Sequence, residues 1–152
     1  MSAAGALRQP LAPEPFCIVV NSQHPLAEAG PTSLQQLVDL PWILYPVSTA
    51  LRKVSDDLFG RAGLALSAGV VETPSFLFAL ELMNTTNMMS LQPASLVEKY
   101  MNRGLLARIP VELPHRMPGY GLITRLGEPP TPAAQAFMDV LREAASRPMD
   151  GF

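Results

Sequence analysis

Short runs of apolar residues alternate along the chain with segments in which apolar residues recur at helical spacing. Phe16–Val20 is a continuous apolar run with β-branched residues, which is typical of a strand covered on both faces. After Pro46, by contrast, Leu51, Val54 and Leu58 recur every three to four residues, which predicts an amphipathic helix. Strands that alternate with helices over short connections predict βαβ units, so we expect an α/β fold with a largely parallel sheet.

The boundaries of these elements are marked by prolines, since the chain has sixteen and none falls inside a predicted helix. The predicted strands cover residues 16–20, 42–45, 68–71, 88–91, 105–109 and 120–124. Helices are predicted to start where a hydroxyl residue can cap the first turn, at Thr32, at Ser48 or Thr49, at Thr73 and at Thr131. Two glycines, Gly63 and Gly104, are predicted to end helices.

Composition and charge narrow the class of protein. The chain carries 11 basic and 13 acidic residues, so nothing predicts a surface that neutralises nucleic-acid phosphates. Cys17 is the only cysteine, which excludes an intrachain disulfide and favours a cytoplasmic location. Met1–Pro15 has no apolar core of the kind a signal peptide needs, and no apolar stretch reaches the roughly 20 residues of a membrane span. We therefore expect a globular domain that binds no membrane and, by itself, no DNA.

Several short motifs occur in an order and spacing that is typical of one family. They are Pro15–Val20, His24–Ala27, Leu34–Leu44, Leu58–Leu64, Gln92–Ser95, Gly104–Leu106 and the closing helix Pro132–Leu141. Together they cover about Pro15 to Ala145. Over this length the chain resembles the C-terminal effector-binding, or substrate-binding, domain of LysR-type transcriptional regulators.

The resemblance implies a periplasmic-binding-protein-like (type II) α/β fold, in which an effector lies between two lobes. It assigns residues 15–110 to lobe two, 111–119 to a hinge linker, and 120–146 to the C-terminal strand and helix of lobe one. Residues 1–14 are expected to be disordered or a linker, and 147–152 to be a tail. On this assignment the domain is truncated: lobe two is nearly complete, whereas most of lobe one and an N-terminal winged helix-turn-helix are missing.

The function that the resemblance implies is regulation of transcription. The full-length protein would sense a small metabolite and alter DNA binding or transcription activation, because a ligand that prefers one arrangement of the lobes shifts the equilibrium between them. DNA would be contacted only through the missing winged helix-turn-helix. The apolar stripe of the helix predicted from Pro132 lacks the rest of its sheet, so we expect a second chain, in a homo-oligomer, or altered packing to cover it.

The candidate effector site lies where two predicted strands end. In an open parallel sheet, ligands bind outside the carboxyl ends of the strands, where helix N-termini present free N–H groups. Ser48 and Thr49 follow one strand, and Thr73 and Ser75 follow the next. A small anion can bridge two such loops, so these four residues are predicted to bind the effector.

Three further residues border the two loops. Leu51 and Phe76 are candidates for the apolar wall that small-molecule sites usually have, and Arg52 is a secondary candidate that can pair with a carboxylate. Each assignment has a simpler alternative. Ser48 and Thr73 can merely cap their own helices, Leu51 and Phe76 can belong to the core, and Arg52 can be a solvated surface residue.

The sequence offers no support for catalysis, a metal or a cofactor. His24 and His115 have no partner at metal-ligand spacing, and Cys17 lies inside an apolar strand without a neighbouring cation to activate it. No nucleophile elbow, phosphate loop or zinc-binding helix motif is present. Two alternatives remain open: an extracytoplasmic solute-binding protein, which needs a signal peptide and a complete first lobe, and a small α/β enzyme, which needs a nucleophile or an acid/base pair.

Overall fold

The structure, a computed structural model, describes residues 5–66, 69–113 and 119–146. The chain divides into a large unit, Pro15–Met117, and a small unit formed by Met1–Glu14 and Pro118–Phe152. Four sequence predictions fall partly or wholly outside the described residues. They concern the beginning of the segment 1–14, the start of the strand predicted at 68–71, the expected hinge 111–119 with His115, and the tail 147–152.

Strands and helices alternate along the described residues, as predicted. The strands are β1 (Ala6–Ala12), β2 (Phe16–Asn21), β3 (Trp42–Leu44), β4 (Val70–Glu72), β5 (Met89–Pro93), β6 (Leu106–Arg108) and β7 (Tyr120–Arg125). The helices are α1 (Leu34–Leu37), α2 (Ala50–Arg61), α3 (Phe76–Thr85), α4 (Ala94–Met101) and α5 (Pro132–Ala145). All six predicted strands are confirmed, and the boundaries that lie within the described residues move by two residues at most.

The large unit is built on a five-stranded sheet with the order β4-β3-β5-β2-β6. β3 pairs in parallel with both β4 and β5. β2 pairs antiparallel with β5 and with β6, so β2 runs opposite to the other four strands. The prediction of a largely parallel sheet therefore describes four strands, and the reversed strand β2 lies inside the sheet.

Helices cover both faces of this sheet. Since the side chains of each strand alternate between the two faces, neighbouring residues of one strand pack against different helices. On one face, Trp42 and Leu44 of β3 lie in a core with residues of α1 and α2. On the other face, Ile43 lies in a core with residues of α3 and α4. Trp42 is fully buried, meets the Phe59 ring edge-on at 5.1 Å between centroids, and donates its indole N–H to the carbonyl of Leu37 at 2.9 Å. Two separate cores thus fix the sheet from opposite sides.

The glycines predicted to end helices do so. Gly63 and Gly104 both have positive φ, +69° in each case, which only glycine adopts without strain. After Gly63, the N–H of Leu64 donates back to the carbonyl of Phe59 at 2.9 Å, which satisfies the last turn of α2. Each glycine therefore ends its helix through the expected left-handed conformation.

The start of α1 differs from the prediction, because Ser33 is its N-cap residue where Thr32 was expected. The backbone N–H of Ser33 donates to the side chain of Gln36 at 2.8 Å. Thr32 is used elsewhere, since its N–H donates to the carbonyl of Pro110 at 2.8 Å and it forms a bridge with Val111. A tertiary contact that sequence spacing does not reveal moves the helix start by one residue.

In the small unit, β1 corrects the expectation that residues 1–14 are disordered or a linker. Ala6–Ala12 forms a strand that pairs antiparallel with β7, from Ala6 opposite Arg125 to Ala12 opposite Tyr120. The pattern around Pro10 predicts no strand, because proline lacks an N–H for a sheet ladder. The strand forms at the edge of a two-stranded sheet, with an irregularity in the register between Pro10 and Ala12.

α5 begins as predicted, with Thr131 accepting a hydrogen bond from the N–H of Ala134 at 3.3 Å. The face of α5 that is buried is not the predicted apolar stripe. The stripe predicted from helical spacing consists of Ala133, Ala136, Phe137, Val140, Leu141 and Ala144. Met138 is the buried residue, whereas Phe137 and Val140 of the stripe are 63% and 61% exposed. In the described residues, this stripe therefore presents large apolar side chains to solvent.

Candidate functional site

The candidate site lies at one edge of the five-stranded sheet. Because β3, β4 and β5 run in the same direction, their carboxyl ends meet at this edge, and α2, α3 and α4 begin there. The chain leaves β3 towards β4 on one side and leaves β5 towards β6 on the other, so the order reverses between β3 and β5. Such a switch point opens a crevice in which α/β proteins bind ligands.

The first predicted loop, after β3, is organised around Thr49. Its hydroxyl accepts a hydrogen bond from the N–H of Arg52 at 3.1 Å and donates one to the carbonyl of Pro46 at 2.8 Å. Of the two predicted caps for α2, the structure thus selects Thr49, and Ser48 lies exposed beside it. The Thr49 proton is used inside the loop, whereas the Ser48 hydroxyl faces solvent.

The second predicted loop, after β4, contains a correction. Thr73 was expected to cap α3, but the N-cap is Ser75, whose hydroxyl accepts from the N–H of Phe78 at 3.3 Å. Thr73 is buried; its N–H donates to the carbonyl of Leu44 at 3.0 Å and its hydroxyl accepts from the N–H of Ser75 at 3.1 Å. Thr73 continues the pairing of β4 with β3, which places Pro74 outside the helix.

The structure brings the two loops side by side, because the register of the parallel pair sets Leu44 opposite Glu72. The apolar candidates behave as core residues. Leu51 packs against the core on the α2 face, and Phe76 packs against the opposite core, with its ring 5.2 Å from that of Tyr100. They line opposite faces of the sheet and do not form one continuous wall.

Arg52 is neither a solvated residue nor an open anion site. Its side chain is 16% exposed and forms ion pairs with Glu72, at the end of β4, and with Asp56 in α2, the latter at 2.9 Å. The hydrogen bonds that Arg52 donates, first to Glu72 and then to Asp56, raise the pKa of Arg52 above its ordinary value. Arg52 also donates to the carbonyl of Tyr45 at 3.3 Å, so it ties α2 to both loops.

Sequence reasoning missed a polar chain that crosses the switch point. The Tyr45 hydroxyl donates to the Gln92 side chain at 3.0 Å, Gln92 donates to the Ser90 hydroxyl at 2.8 Å, and Ser90 donates to the carbonyl of Ile43 at 2.9 Å. Ser90 and Gln92 are each 1% exposed, and burial raises the pKa of the half-buried Tyr45. Polar residues alternating with Met89 and Leu91 in a buried strand were the available signal.

Neither a metal site nor a membrane-spanning helix is found among the described residues. Within residues 5–66, 69–113 and 119–146, no group of three or more His, Cys, Asp or Glu side chains is placed to hold a metal ion. Nor is any helix in those ranges long and apolar enough to cross a bilayer. Cys17 is buried in β2, as its apolar surroundings predicted.

Comparison with known protein families identifies the class to which this chain belongs. The sequence profile of the LysR substrate binding domain matches residues 3–146. The chain belongs to this family. The resemblance stated from short motifs is thereby confirmed over nearly the whole chain.

The curated relatives are transcriptional regulators. The chain is 26% identical over 142 residues to the HTH-type transcriptional regulator GbpR of Azospirillum brasilense, covering 93% of this chain and 42% of that protein. It is 28% identical over 141 residues to the HTH-type transcriptional regulator GalR of Pseudomonas putida, covering 93% of this chain and 35% of that protein. The chain thus spans less than half the length of these relatives.

Solved structures share the fold. The regulatory domain of CcmR from Synechocystis PCC6803, in complex with 2-PG, matches 96% of this chain and 70% of its own, with a TM-score of 0.81 and 16% identity. The effector-binding domain of QuiR in complex with shikimate matches 95% and 67%, with a TM-score of 0.72 and 20% identity. The BenM effector-binding domain with benzoate matches 100% and 71%, with a TM-score of 0.68 and 20% identity. The fold is that of LysR effector-binding domains, a periplasmic-binding-protein-like α/β fold.

Proposed function

We propose that this chain is the effector-binding regulatory domain of a LysR-type transcriptional regulator, and that it binds a small carboxylate at the carboxyl edge of its five-stranded sheet. The observation that carries the proposal is the switch point between β3 and β5, where two hydroxyl-capped helices of a LysR substrate binding domain begin. Shikimate and benzoate, which are bound in two structures of the same fold, are both carboxylates.

The groups at this edge suit an anion. In α2, the N–H of Lys53 donates the first intrahelical hydrogen bond, and the N–H of Arg52 donates to the side chain of the cap residue Thr49. The N–H groups of Ala50 and Leu51 come earlier in the helix than these two donors. The same holds in α3, where Phe76 and Leu77 precede the capped N–H of Phe78. Such N–H groups, with the positive end of the helix dipole, attract a carboxylate.

The predicted site residues divide by role in this proposal. Ser48 and Ser75 are exposed and keep hydroxyl protons that can be donated to the effector. Thr49 and Thr73 shape the two loops through the hydrogen bonds described above. Arg52, already paired with Glu72 and Asp56, acts on the site through the loop carbonyl of Tyr45.

Regulation follows from differential binding. An effector shifts an equilibrium only as far as it prefers one conformation, and that preference is what would change DNA binding by the attached head. We propose that DNA is contacted through a winged helix-turn-helix outside these residues, that no reaction is catalysed, and that the regulator works in the cytoplasm where its DNA lies. The exposed stripe with Phe137 and Val140 supports assembly with a second copy.

Binding of carboxylates to the chain tests the proposal. We expect a panel that includes shikimate and benzoate to contain a compound that raises the melting temperature and binds in isothermal titration calorimetry. Ser75→Gly should then weaken binding about tenfold, because glycine largely keeps the helix cap but removes the donor. Thr131→Ala, which removes a cap in the small unit, is the matched control and should leave binding unchanged.

Two results would reject the assignment. If no carboxylate of the panel binds, the chain is not a carboxylate sensor in this form. If a compound binds but the double variant Ser48→Ala with Ser75→Gly binds it as well as the original chain, the site lies elsewhere.

A further inference from the structure

The polar chain across the switch point fixes the direction of each of its hydrogen bonds. It runs from the Tyr45 hydroxyl through Gln92 and Ser90 to the carbonyl of Ile43, and its four groups come from two adjacent parallel strands and the residue after one of them. Ser90 and Gln92 are buried, and among the described residues every buried side-chain polar atom has a partner. The inner members are therefore oriented by their hydrogen bonds to one another.

The order of protons follows from the one group that can only accept. The carbonyl of Ile43 carries no proton, so Ser90, 2.9 Å away, must donate its hydroxyl proton to it. Ser90 then offers only lone pairs, and Gln92 must turn its amide nitrogen towards Ser90. The amide oxygen of Gln92 thus faces Tyr45, whose hydroxyl must donate its proton to it.

The reverse order is unfavourable. If Tyr45 accepted from Gln92, the amide oxygen would face Ser90 and would take its proton. The Ser90 oxygen and the Ile43 carbonyl oxygen would then lie 2.9 Å apart in a buried site with no proton between them. A buried oxygen left without its hydrogen bond costs far more than one exposed to water.

The Tyr45 oxygen therefore has no proton left for a ligand, but its lone pairs are available. Tyr45 follows β3 directly, at the carboxyl edge of the sheet, and is half-buried, so part of the residue remains open to solvent. Its backbone is held in place by the hydrogen bond from Arg52 to its carbonyl. The carboxyl edge of the sheet thus carries a fixed acceptor at Tyr45 in addition to the N–H donors at the starts of α2 and α3.

We propose that Tyr45 accepts a hydrogen bond from a hydroxyl group of the effector, so that the effector is a hydroxy acid. The inference rests on the proposed function, which supplies the carboxylate at the helix starts. A ligand ammonium group would also donate to Tyr45, but the positive ends of α2, α3 and α4 meet at this edge and disfavour a cation. Glu72, a carboxylate at the edge, is already paired with Arg52.

Matched pairs of acids that differ by one hydroxyl test this specificity. The probes are lactate with propionate, shikimate with 1-cyclohexene-1-carboxylate, and 3-hydroxybenzoate with benzoate, each titrated into the chain by calorimetry. We expect at least one hydroxy acid to bind about fivefold to tenfold more tightly than its partner, which is the usual worth of one net hydrogen bond. Alanine, the ammonium counterpart of lactate, should not show this gain.

Tyr45→Phe should remove that preference, so that the two acids of a pair bind to the variant with similar affinity. Tyr100→Phe, the same change at a half-buried tyrosine of α4, is the matched control and should keep the preference. Gln92→Leu provides a second variant, because it frees the Tyr45 proton and should reduce the preference even though Tyr45 remains. Melting curves establish that each variant is folded.

The outcomes separate the two proposals. If no acid of any pair binds, the proposed function fails and the inference fails with it. If acids bind but a hydroxyl never improves affinity, or if the preference survives both Tyr45→Phe and Gln92→Leu, the carboxylate site stands and the acceptor role of Tyr45 is rejected. A preference for alanine over lactate would replace the hydroxy acid by an amino acid.

Discussion

Ser90→Ala is the substitution that tests most directly whether the buried polar chain holds β3 to β5. Ser90 is 1% exposed, and its hydroxyl makes two hydrogen bonds, one to the Ile43 carbonyl at 2.9 Å and one from Gln92 at 2.8 Å. Alanine leaves the backbone and the volume nearly unchanged. The substitution therefore removes hydrogen bonds without opening a large cavity.

The expected loss follows from what remains behind. Gln92, also 1% exposed, keeps its bond from Tyr45 but loses the acceptor for its amide N–H, and the Ile43 carbonyl loses the serine proton. A buried polar group without a partner costs about 1–3 kcal/mol. Since the carbonyl has a second lone pair and suffers less than the amide, we expect Ser90→Ala to lower the free energy of unfolding by about 2–4 kcal/mol.

Urea unfolding followed by tryptophan fluorescence measures this loss of stability in the large unit of the structure. Trp42 is the only tryptophan of the chain and is buried in the large unit. It belongs to β3, the neighbour of β5 in the sheet. With a slope near 2 kcal/mol per molar urea, the midpoint should fall by about 1–2 M. Ser48→Ala, at an exposed serine, should change stability by less than about 0.5 kcal/mol.

A loss in Ser90→Ala no larger than that of Ser48→Ala would refute the reasoning. Gln92 would then have found another acceptor, and the direction of the Tyr45 hydrogen bond would no longer be fixed by the fold. A changed slope with an unchanged midpoint would point to a different unfolded state, and the stability argument would lose its basis.

Three further changes have expected outcomes. Leu58→Ala should lower the free energy of unfolding by about 2–5 kcal/mol in the same assay, because Leu58 is 2% exposed in the core between the sheet and α2. A loss below about 1 kcal/mol would mean that α2 packs loosely. Burial lowers the pKa of His24 below its ordinary 6.5, and its Nδ1 accepts from the N–H of Leu26 at 3.1 Å. Because the unfolded chain then binds the proton more readily, the free energy of unfolding should fall as the pH drops through 6.5. His24→Gln should flatten that part of the plot of stability against pH. Parallel plots for the variant and the original chain would contradict the shift. Phe137→Lys should weaken self-association in sedimentation velocity, since Phe137 is 63% exposed on α5; an unchanged distribution would place any contact between copies elsewhere.

Local signals predicted most of the large unit. Phe16–Val20 reads as a buried strand because neither face of β2 meets water, and Gly63 ends α2 because the left-handed conformation favours glycine. What local signals did not predict is pairing over long separations. β1 forms because β7, more than a hundred residues later, supplies its hydrogen-bond partners, and no pattern within Ala6–Ala12 indicates that partner.

The sequence predicted the position of the two candidate loops in the sheet better than the hydrogen bonds within them. The rule that ligands bind at the carboxyl ends of parallel strands selected the loops at Ser48 and Ser75, which the sheet register does bring together. The state of each hydroxyl depends on geometry that spacing does not contain. Thr49 uses its proton on Pro46, and Thr73 extends the strand pairing where a cap was expected.

The network at Tyr45 shows why such details matter for specificity. A hydroxyl at the edge of a crevice can donate or accept, and sequence alone leaves both roles open. Here the choice is made where Ser90 meets the carbonyl of Ile43, 47 residues away from it along the chain, in the pairing of β5 with β3. Because that pairing belongs to the core of the sheet, changing the preference at Tyr45 requires either a change in the core or loss of the tyrosine hydroxyl itself. The preference for a hydroxy acid would then be inherited from the strand order.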